Sequence, residues 1–437
     1  MRTLGLTRIV GARWIGLAVV ALIAAFWVHH AATASGRSGT AKFVQDGKKL
    51  RGSGDNELNS FGEDVAISAD GRTALVGEPK NGANPGLAWI FYRHGHLWAR
   101  AARPLRRPDG SAGAGFGGSV AISDDGRTAL VGDTGGGDTG VAWVFTRSSR
   151  GWSRQAVGLQ GGDIAIDSGR GGAGFGFSVA LSASGNAAAV AAPEDTGGPG
   201  AVTMFSRSPS GWSQDGPKVM PLKTGGNFCV PGVTTGSPSS IALSGNGQVL
   251  AIGGPTWGDF KGCVWVFSRI SSRWTQRAEF VCPPGSHGAY IYGGSIALTA
   301  NGKTMLVGSS RDGVEGGEAW SYTQKHGSWN TAAKALDTKG VFDLGIQGLT
   351  EVSISADGRT ALLGEMSFNS NVGAAWIFTR SGQKWHQSGK RMRPKDESGF
   401  AGQFAYSVAL SDDGSTALIG GNNDNRVGAA WLFSRIR

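Results

Sequence analysis

The side chains able to do chemistry in this chain are few and scattered. His94 and His96 form a lone His-x-His, two potential metal ligands with no third beside them. His287, His326 and His386 stand far apart, and no Gly-x-Ser-x-Gly elbow occurs. The triple glycine at 135–137 is not followed by a helical pattern, so it is loop rather than phosphate cradle. Carboxylates give the regular signal. An acidic residue comes just after each of a series of short apolar runs: Glu78, Asp133, Glu194 with Asp195, Asp259, Asp312, Glu365 and Asp424. On one face of a fold they would make an acidic collar that draws a cation or a basic partner. Asp and Glu there also suit loops on conformational grounds. Trp257 sits in the same kind of loop, where an exposed ring would suit sugar or peptide contact. These acids and Trp257 are the candidate ligand-binding residues, and no catalytic set emerges beside them.

The elements that must position these residues come from a repeat. "FGEDVAISADGRTALVGEP" at 61–79 returns as "FGGSVAISDDGRTALVGDT" at 116–134 and, late in the chain, as "YSVALSDDGSTALIGGN". The turn glycines Gly71, Gly126, Gly185, Gly247, Gly302, Gly358 and Gly414 are separated by 55, 59, 62, 55, 56 and 56 residues. A period of this length means one supersecondary unit per repeat, stacked on its neighbours. In the second unit, 119–123 reads as strand A, the Asp-Gly at 125–126 as a hairpin turn, 128–132 as strand B, 140–147 as strand C and 152–159 as strand D. Four antiparallel strands in about 55 residues make one propeller blade. Strand A reads as buried on both faces.

Two further patterns support the register. Tryptophans recur on strand C (Trp89, Trp143, Trp265, Trp320, Trp376, Trp431) and at the start of strand D (Trp98, Trp152, Trp212, Trp274, Trp329, Trp385). Aromatics at fixed strand positions fill the wedge between blades rather than forming a stacking platform. Strand C ends in Arg93, Arg147, Arg207, Arg269, Arg380 and Arg435, expected to bond the neighbouring turn acids Asp70, Asp125, Asp357 and Asp413. The last repeat stops after strand C. Its missing strand D is at the other end of the chain, where 43–50, "FVQDGKKL", matches "WSQDGPKV" at 212–219. The expected fold is therefore all-β: a seven-bladed propeller closed by an N-terminal strand that completes the last blade.

Composition narrows the class. The chain is rich in Gly and Trp with no three-residue Gly period, which fits tight-turned β-structure and excludes collagen. The formal net charge of +10 includes Arg2, Arg8 and Arg13. Those arginines precede the apolar run from Ile15 to Val28, and Ala32-Thr33-Ala34 follows it. This layout predicts a signal peptide over 1–34 cleaved after Ala34, with the propeller over 35–437 and a secreted or cell-envelope location. The apolar run is too short for a spanning helix. Basic runs interleaved with aromatics are absent, which argues against nucleic acid as a partner.

In its "FG-x-SVALS-x-DG-x-TALVG" phrase and in "GAAW" followed by Val or Ile and Phe, the sequence resembles the FG-GAP repeat family, which includes the propeller of integrin α subunits and exported bacterial proteins. The resemblance covers about residues 41 to 437. Phe-Gly stands at 61–62, 116–117 and 175–176 and becomes Tyr292-Gly293. It is lost at Ser237-Pro238, Gly348-Leu349 and Phe404-Ala405. The family's Asp-x-Asp-x-Asp-Gly calcium loop is shrunk here to Ser-Ala-Asp-Gly or Asp-Asp-Gly, so no cofactor is expected, with calcium held some other way as the open alternative. The resemblance implies a non-enzymatic, exported, monomeric module that binds a protein or glycan through its loop face. The alternatives are an enzyme built on the propeller and acting on polysaccharide, which needs His, Tyr or paired carboxylates converging on one face, or a structural envelope protein.

The cysteines are Cys229, Cys263 and Cys282. All fall in the fourth blade on the D–A and B–C loop face. A hairpin between strands C and D brings Cys263 close to Cys282, so a bridge between them is expected with Cys229 free. Pairing of Cys229 with Cys282, and three free thiols, remain open.

Overall fold

The computed structural model describes residues 42–52, 59–79, 86–108, 115–164, 173–195, 200–221, 240–254, 262–281, 289–311, 318–330, 334–336, 350–366, 371–397 and 402–436. The predicted leader, 1–34, lies outside them. Among the described residues no helix is long and apolar enough to cross a membrane.

Seven antiparallel sheets form the blades of a β-propeller. The first blade has strand A at Val65–Ile67, B at Thr73–Glu78, C at Leu87–His94, and a D strand broken into Leu97–Arg100 and Leu105–Arg106. The second follows the same order at Val120–Ile122, Thr128–Asp133, Val141–Ser148 and Gly151–Arg154. In the seventh, Lys42–Gln45 from the N-terminal end pairs with Ala429–Ile436, which completes the sheet as the sequence predicts. Each strand A touches that of the next blade, and the last touches the first, so the ring is closed around an axis lined by A strands.

Strand B shows why the repeat reads as it does. All six residues of Thr73–Glu78 and of Thr128–Asp133 are buried, because B is covered by the blades on either side. Strand A departs from the expectation of burial on both faces. Ala66 and Ile67, like Ala121 and Ile122, are only half-buried, since their outer face lines the axis. The twelve repeated tryptophans are all buried or half-buried, which bears out their packing role.

Adjacent blades lock through the turn glycines. Gly126 has φ +64°, and a Cβ there would lie 2.8 Å from Thr73 Oγ1 of the preceding blade. Only Gly both adopts this turn and lets the next blade approach so closely. The Asp-Gly turn is tied internally. Ser68 Oγ donates to Asp70 Oδ1 (2.6 Å) and accepts from Thr73 N (2.9 Å), with equivalent bonds in the second, sixth and seventh blades. The turn acids are thus occupied in their own turns. Arg93 and Arg269 instead reach strand D of the preceding blade, pairing with Asp46 (2.7 Å) and Asp215 (2.8 Å). This corrects the expected Arg–turn pairing: the carboxyls at 70 and 413 face their own Ser and amides.

Cys263 is disulfide-bonded. Cys229 and Cys282 lie outside the described residues. The register sets Cys263 opposite Val281.

Closure by the N-terminal strand is testable. Removing residues 35–50 strips Leu50 from the core, leaves Arg93 without Asp46, and takes from buried Asp424 its Lys49 partner at 2.6 Å. Breaking a buried pair costs about 3–5 kcal/mol, and the outer edge of strand C in the last blade is left unpaired. The truncated protein should melt well below the full chain or associate through that edge. Calorimetry and size-exclusion chromatography check this; a monomer with unchanged Tm overturns the closure.

Candidate active site at the axial mouth

The residue just before the apolar triplet of strand A lies beside the A strand of the next blade. In five blades it is serine: Ser119, Ser178, Ser240, Ser295 and Ser407. In three blades it accepts the strand A amide of the following blade, and Ser407 Oγ instead donates to Gly62 O (2.9 Å). Ser119 Oγ accepts from Val179 N (3.0 Å), Ser178 Oγ from Ile241 N (3.3 Å), and Ser295 Oγ from Val352 N (3.1 Å). In the first and sixth blades the position carries an acid, Asp64 and Glu351.

Asp64 keeps the structural task. Its Oδ2 accepts from Val120 N (2.7 Å) and its Oδ1 from Val65 N (2.8 Å). Burial nevertheless outweighs these bonds and pushes its carboxyl up to about 6; the neighbouring Glu63 adds to the rise. Glu351 has a longer side chain, and Ser295 Oγ donates to its Oε2 (2.8 Å). Burial, reinforced by the charge of Asp64, pushes Glu351 up to about 8. Both side chains are half-buried, as befits groups that line a mouth. The blade between them contributes Tyr406, whose hydroxyl donates to Glu63 Oε1 (3.1 Å), while Asn422 Nδ2 donates to Glu63 Oε2 (2.9 Å). Burial, then the charges of Glu63, Glu351 and Asp64, raise the Tyr406 hydroxyl and keep it protonated. Three successive blades thus converge two carboxyls with separated proton affinities, a third carboxylate and a phenol. Separated affinities are what assign one carboxyl as base and the other as acid near neutral pH.

The opposite end of the axis is differently built. The A–B turns are joined by a girdle of amide bonds that runs from Ala69 N to Asp124 O (3.1 Å) round to Asp412 N to Ala69 O (3.2 Å). There burial comes first among the causes that raise the carboxyls of Asp124 and Asp412.

The acids expected to form an exposed collar are placed elsewhere. Glu78, Asp133, Asp195, Glu365 and Asp424 are buried, and Glu194 is half-buried. Strand B ends between blades, so its last carboxylate answers buried donors instead of solvent. Trp89 Nε1 donates to Glu78 (2.5 Å) and Trp143 Nε1 to Asp133 (3.0 Å). Arg107 pairs with Asp133 (3.2 Å), Lys218 with Asp195 (2.8 Å), and Lys49 and Arg51 with Asp424. Trp257, Asp259 and Asp312 lie outside the described residues. Among the described residues no group of three or more His, Cys, Asp and Glu is arranged to hold a metal. The axial cluster was missed because its members do not repeat. The available signal was the acid at 64 and 351 where the repeated phrase writes Ser.

Solved structures of low identity share the fold. The chain is similar to a periplasmic gluconolactonase of Pseudomonas aeruginosa, with 16% identity, TM-score 0.51, and coverage of 76% of this chain and 85% of that one. It is similar to hydrazine synthase of Kuenenia stuttgartiensis, with 14% identity, TM-score 0.54, and coverage of 89% and 98%. A protein from Lactobacillus plantarum aligns at 13% identity with TM-score 0.51 over 79% and 88%. No protein-family model matches the chain and no curated protein does. The FG-GAP resemblance is thus carried to the level of the propeller fold. The expectation of a non-enzymatic recognition module is corrected: the propellers similar to this chain include a lactonase, and the carboxyls and tyrosine that an enzyme needs do converge on one face.

The raised carboxyls give a pH signature. A carboxyl whose folded value lies above its unfolded one binds its proton more tightly in the native state, so its stabilisation is present below about pH 4 and lost as pH rises. For Asp64 and Glu351 the loss extends to about 6 and about 8. Stability should therefore decline between pH 4 and 8, and Glu351→Gln should flatten the upper part of that decline. Urea melts across this range check it; an unchanged slope in the variant contradicts the assignment.

Proposed function

We propose that this protein is an exported propeller hydrolase whose reaction centre is the axial mouth formed by Asp64, Glu351 and Tyr406, and that its substrate is a small sugar lactone. The observation that carries this is the meeting of Asp64, held by Val65 N and Val120 N, with Glu351, held by Ser295, and Tyr406, which donates to Glu63, with burial raising the two carboxyls to about 6 and about 8. At neutral pH Asp64 is ionised and Glu351 protonated. Asp64 takes a proton from water as the water oxygen bonds to the acyl carbon. Glu351 gives its proton to the ring oxygen as the acyl C–O bond breaks, and the ring opens to a hydroxy acid. Proton exchange with solvent restores both carboxyls. General acid–base assistance of this kind contributes about 10²–10⁴-fold per positioned group.

The lactone class is supported by two things. The chemistry needs only a base and an acid of separated affinity, and Asp64 and Glu351 supply them. The similar propeller of the Pseudomonas enzyme is a gluconolactonase by name. The Phe-Gly steps support kinship with FG-GAP propellers in how blades join: Phe61 and Phe175 bridge to Gly428 and Gly140 of the preceding blade. The leader over 1–34 supports export.

Hydrolysis of gluconolactone by the purified mature protein, followed by pH-stat titration, tests the reading. The rate should be bell-shaped, rising through about pH 6 as Asp64 ionises and falling through about pH 8 as Glu351 loses its proton. Asp64→Asn and Glu351→Gln should each lower kcat by about 10²-fold or more. Tyr406→Phe should cost less, since the phenol exchanges no proton. Absence of turnover with any aldonolactone, or full activity in both carboxyl variants, overturns it.

A further inference from the structure

The same mouth carries a charge pattern that restricts what enters it. Glu63 stands one residue before Asp64, at the rim. Tyr406 Oη and Asn422 Nδ2 each donate to one of its oxygens, at 3.1 and 2.9 Å. Both oxygens accept, which locks the carboxyl group in one orientation. The two donors are neutral, so they fix the charge without cancelling it. They also come from the seventh blade, which ties the rim carboxylate across the seam where the ring closes.

Among the described residues, four cations near this face are held by buried carboxylates. Lys49 and Arg51 lie against Asp424, Arg107 against Asp133, and Lys218 against Asp195, all of them buried carboxylates. The charge acting on Glu351 is that of Asp64, and those acting on Tyr406 are the three axial acids. A phosphate group brought to this mouth would meet fixed carboxylates where phosphate sites elsewhere present Arg, Lys or free amides.

We propose that the axial site takes uncharged sugar lactones and rejects phosphorylated ones, with Glu63 as the residue that sets this choice. The inference rests on the axial mouth being the reaction centre. It carries a kinetic corollary. Ring opening turns an uncharged substrate into a carboxylate anion, so the field that excludes charged substrates also drives the product out. Product inhibition should therefore be weak and should strengthen when Glu63 is neutralised.

Two measurements test it. The first compares kcat/KM for gluconolactone and for its phosphorylated form, in the wild type and in Glu63→Gln. The unphosphorylated lactone should be favoured by at least about tenfold in low salt, and the ratio should shrink several-fold in the variant and on raising the ionic strength, because exposed charges are screened. Equal or better turnover of the phosphorylated lactone, or a ratio untouched by Glu63→Gln, overturns the proposal. The second needs no turnover. Amide signals of Val65, Val120 and Val352 are followed while an ammonium-bearing or a carboxylate-bearing nitroxide is added. The cationic probe should broaden them more than the anionic one, and the difference should fall in Glu63→Gln. If neither lactone is hydrolysed but the cationic probe is preferred, the hydrolase reading fails and the charge assignment stands. If the probes broaden equally, or the anion more, the charge assignment fails whatever the activity.

Discussion

Every blade of this protein depends on the next one. A four-stranded sheet whose B strand is apolar on both faces cannot stand in water, and it becomes stable only when a neighbour covers each side. The sequence answers with contacts that leave no room between blades. A turn glycine at +64° sits against the threonine of the preceding blade, and a Phe-Gly step reaches back to its neighbour's C strand. Such contacts close only if the ring closes. That is why the last sheet borrows Lys42–Gln45 from the other end of the chain, and why Asp46, Lys49 and Arg51 of that end are paired into the last and first blades.

Closure also makes the axial site. A seven-fold ring brings the same residue of each repeat to one circle, where Ser119, Ser178 and Ser295 accept the next blade's amide. Replacing serine by aspartate keeps that task, since a carboxylate accepts at least as well, and adds an ionisable group at a place already rigid. Asp64 is oriented by two backbone amides. Glu351 is held by Ser295, itself anchored to Val352 N. The arrangement costs stability at neutral pH, because burial opposes the ionisation of both carboxyls, and the closed scaffold must carry that cost.

The fold was legible because its causes are local and repeated. Asp-Gly turns, alternating apolar runs and tryptophans at constant offsets report the strands directly, and the strand count of the last repeat reports the closure. The site was not legible by the same logic. Regular carboxylates at the end of strand B look like a functional collar, yet regularity there reflects a packing need: Glu78 and Asp133 accept from Trp89 and Trp143, donors buried with them. Periodicity marks what every blade requires. Chemistry needs asymmetry, so it is found where blades differ.

That distinction explains why Glu63, Asp64, Glu351 and Tyr406 were overlooked. Spread over more than 340 positions of sequence, they show no spacing that a motif could capture. Only the ring makes them neighbours, by setting the sixth, seventh and first blades side by side. In the sequence they appear as departures: Asp64 and Glu351 where the phrase carries Ser, and Glu63 and Tyr406 at a position with no fixed identity. Each departure alone is unremarkable variation in a repeat. Taken together, they all fall at one end of strand A, in three blades that follow one another across the closure. A repeat protein can therefore be read twice, once for the consensus that builds the ring and once for the exceptions, projected onto the axis that the consensus defines.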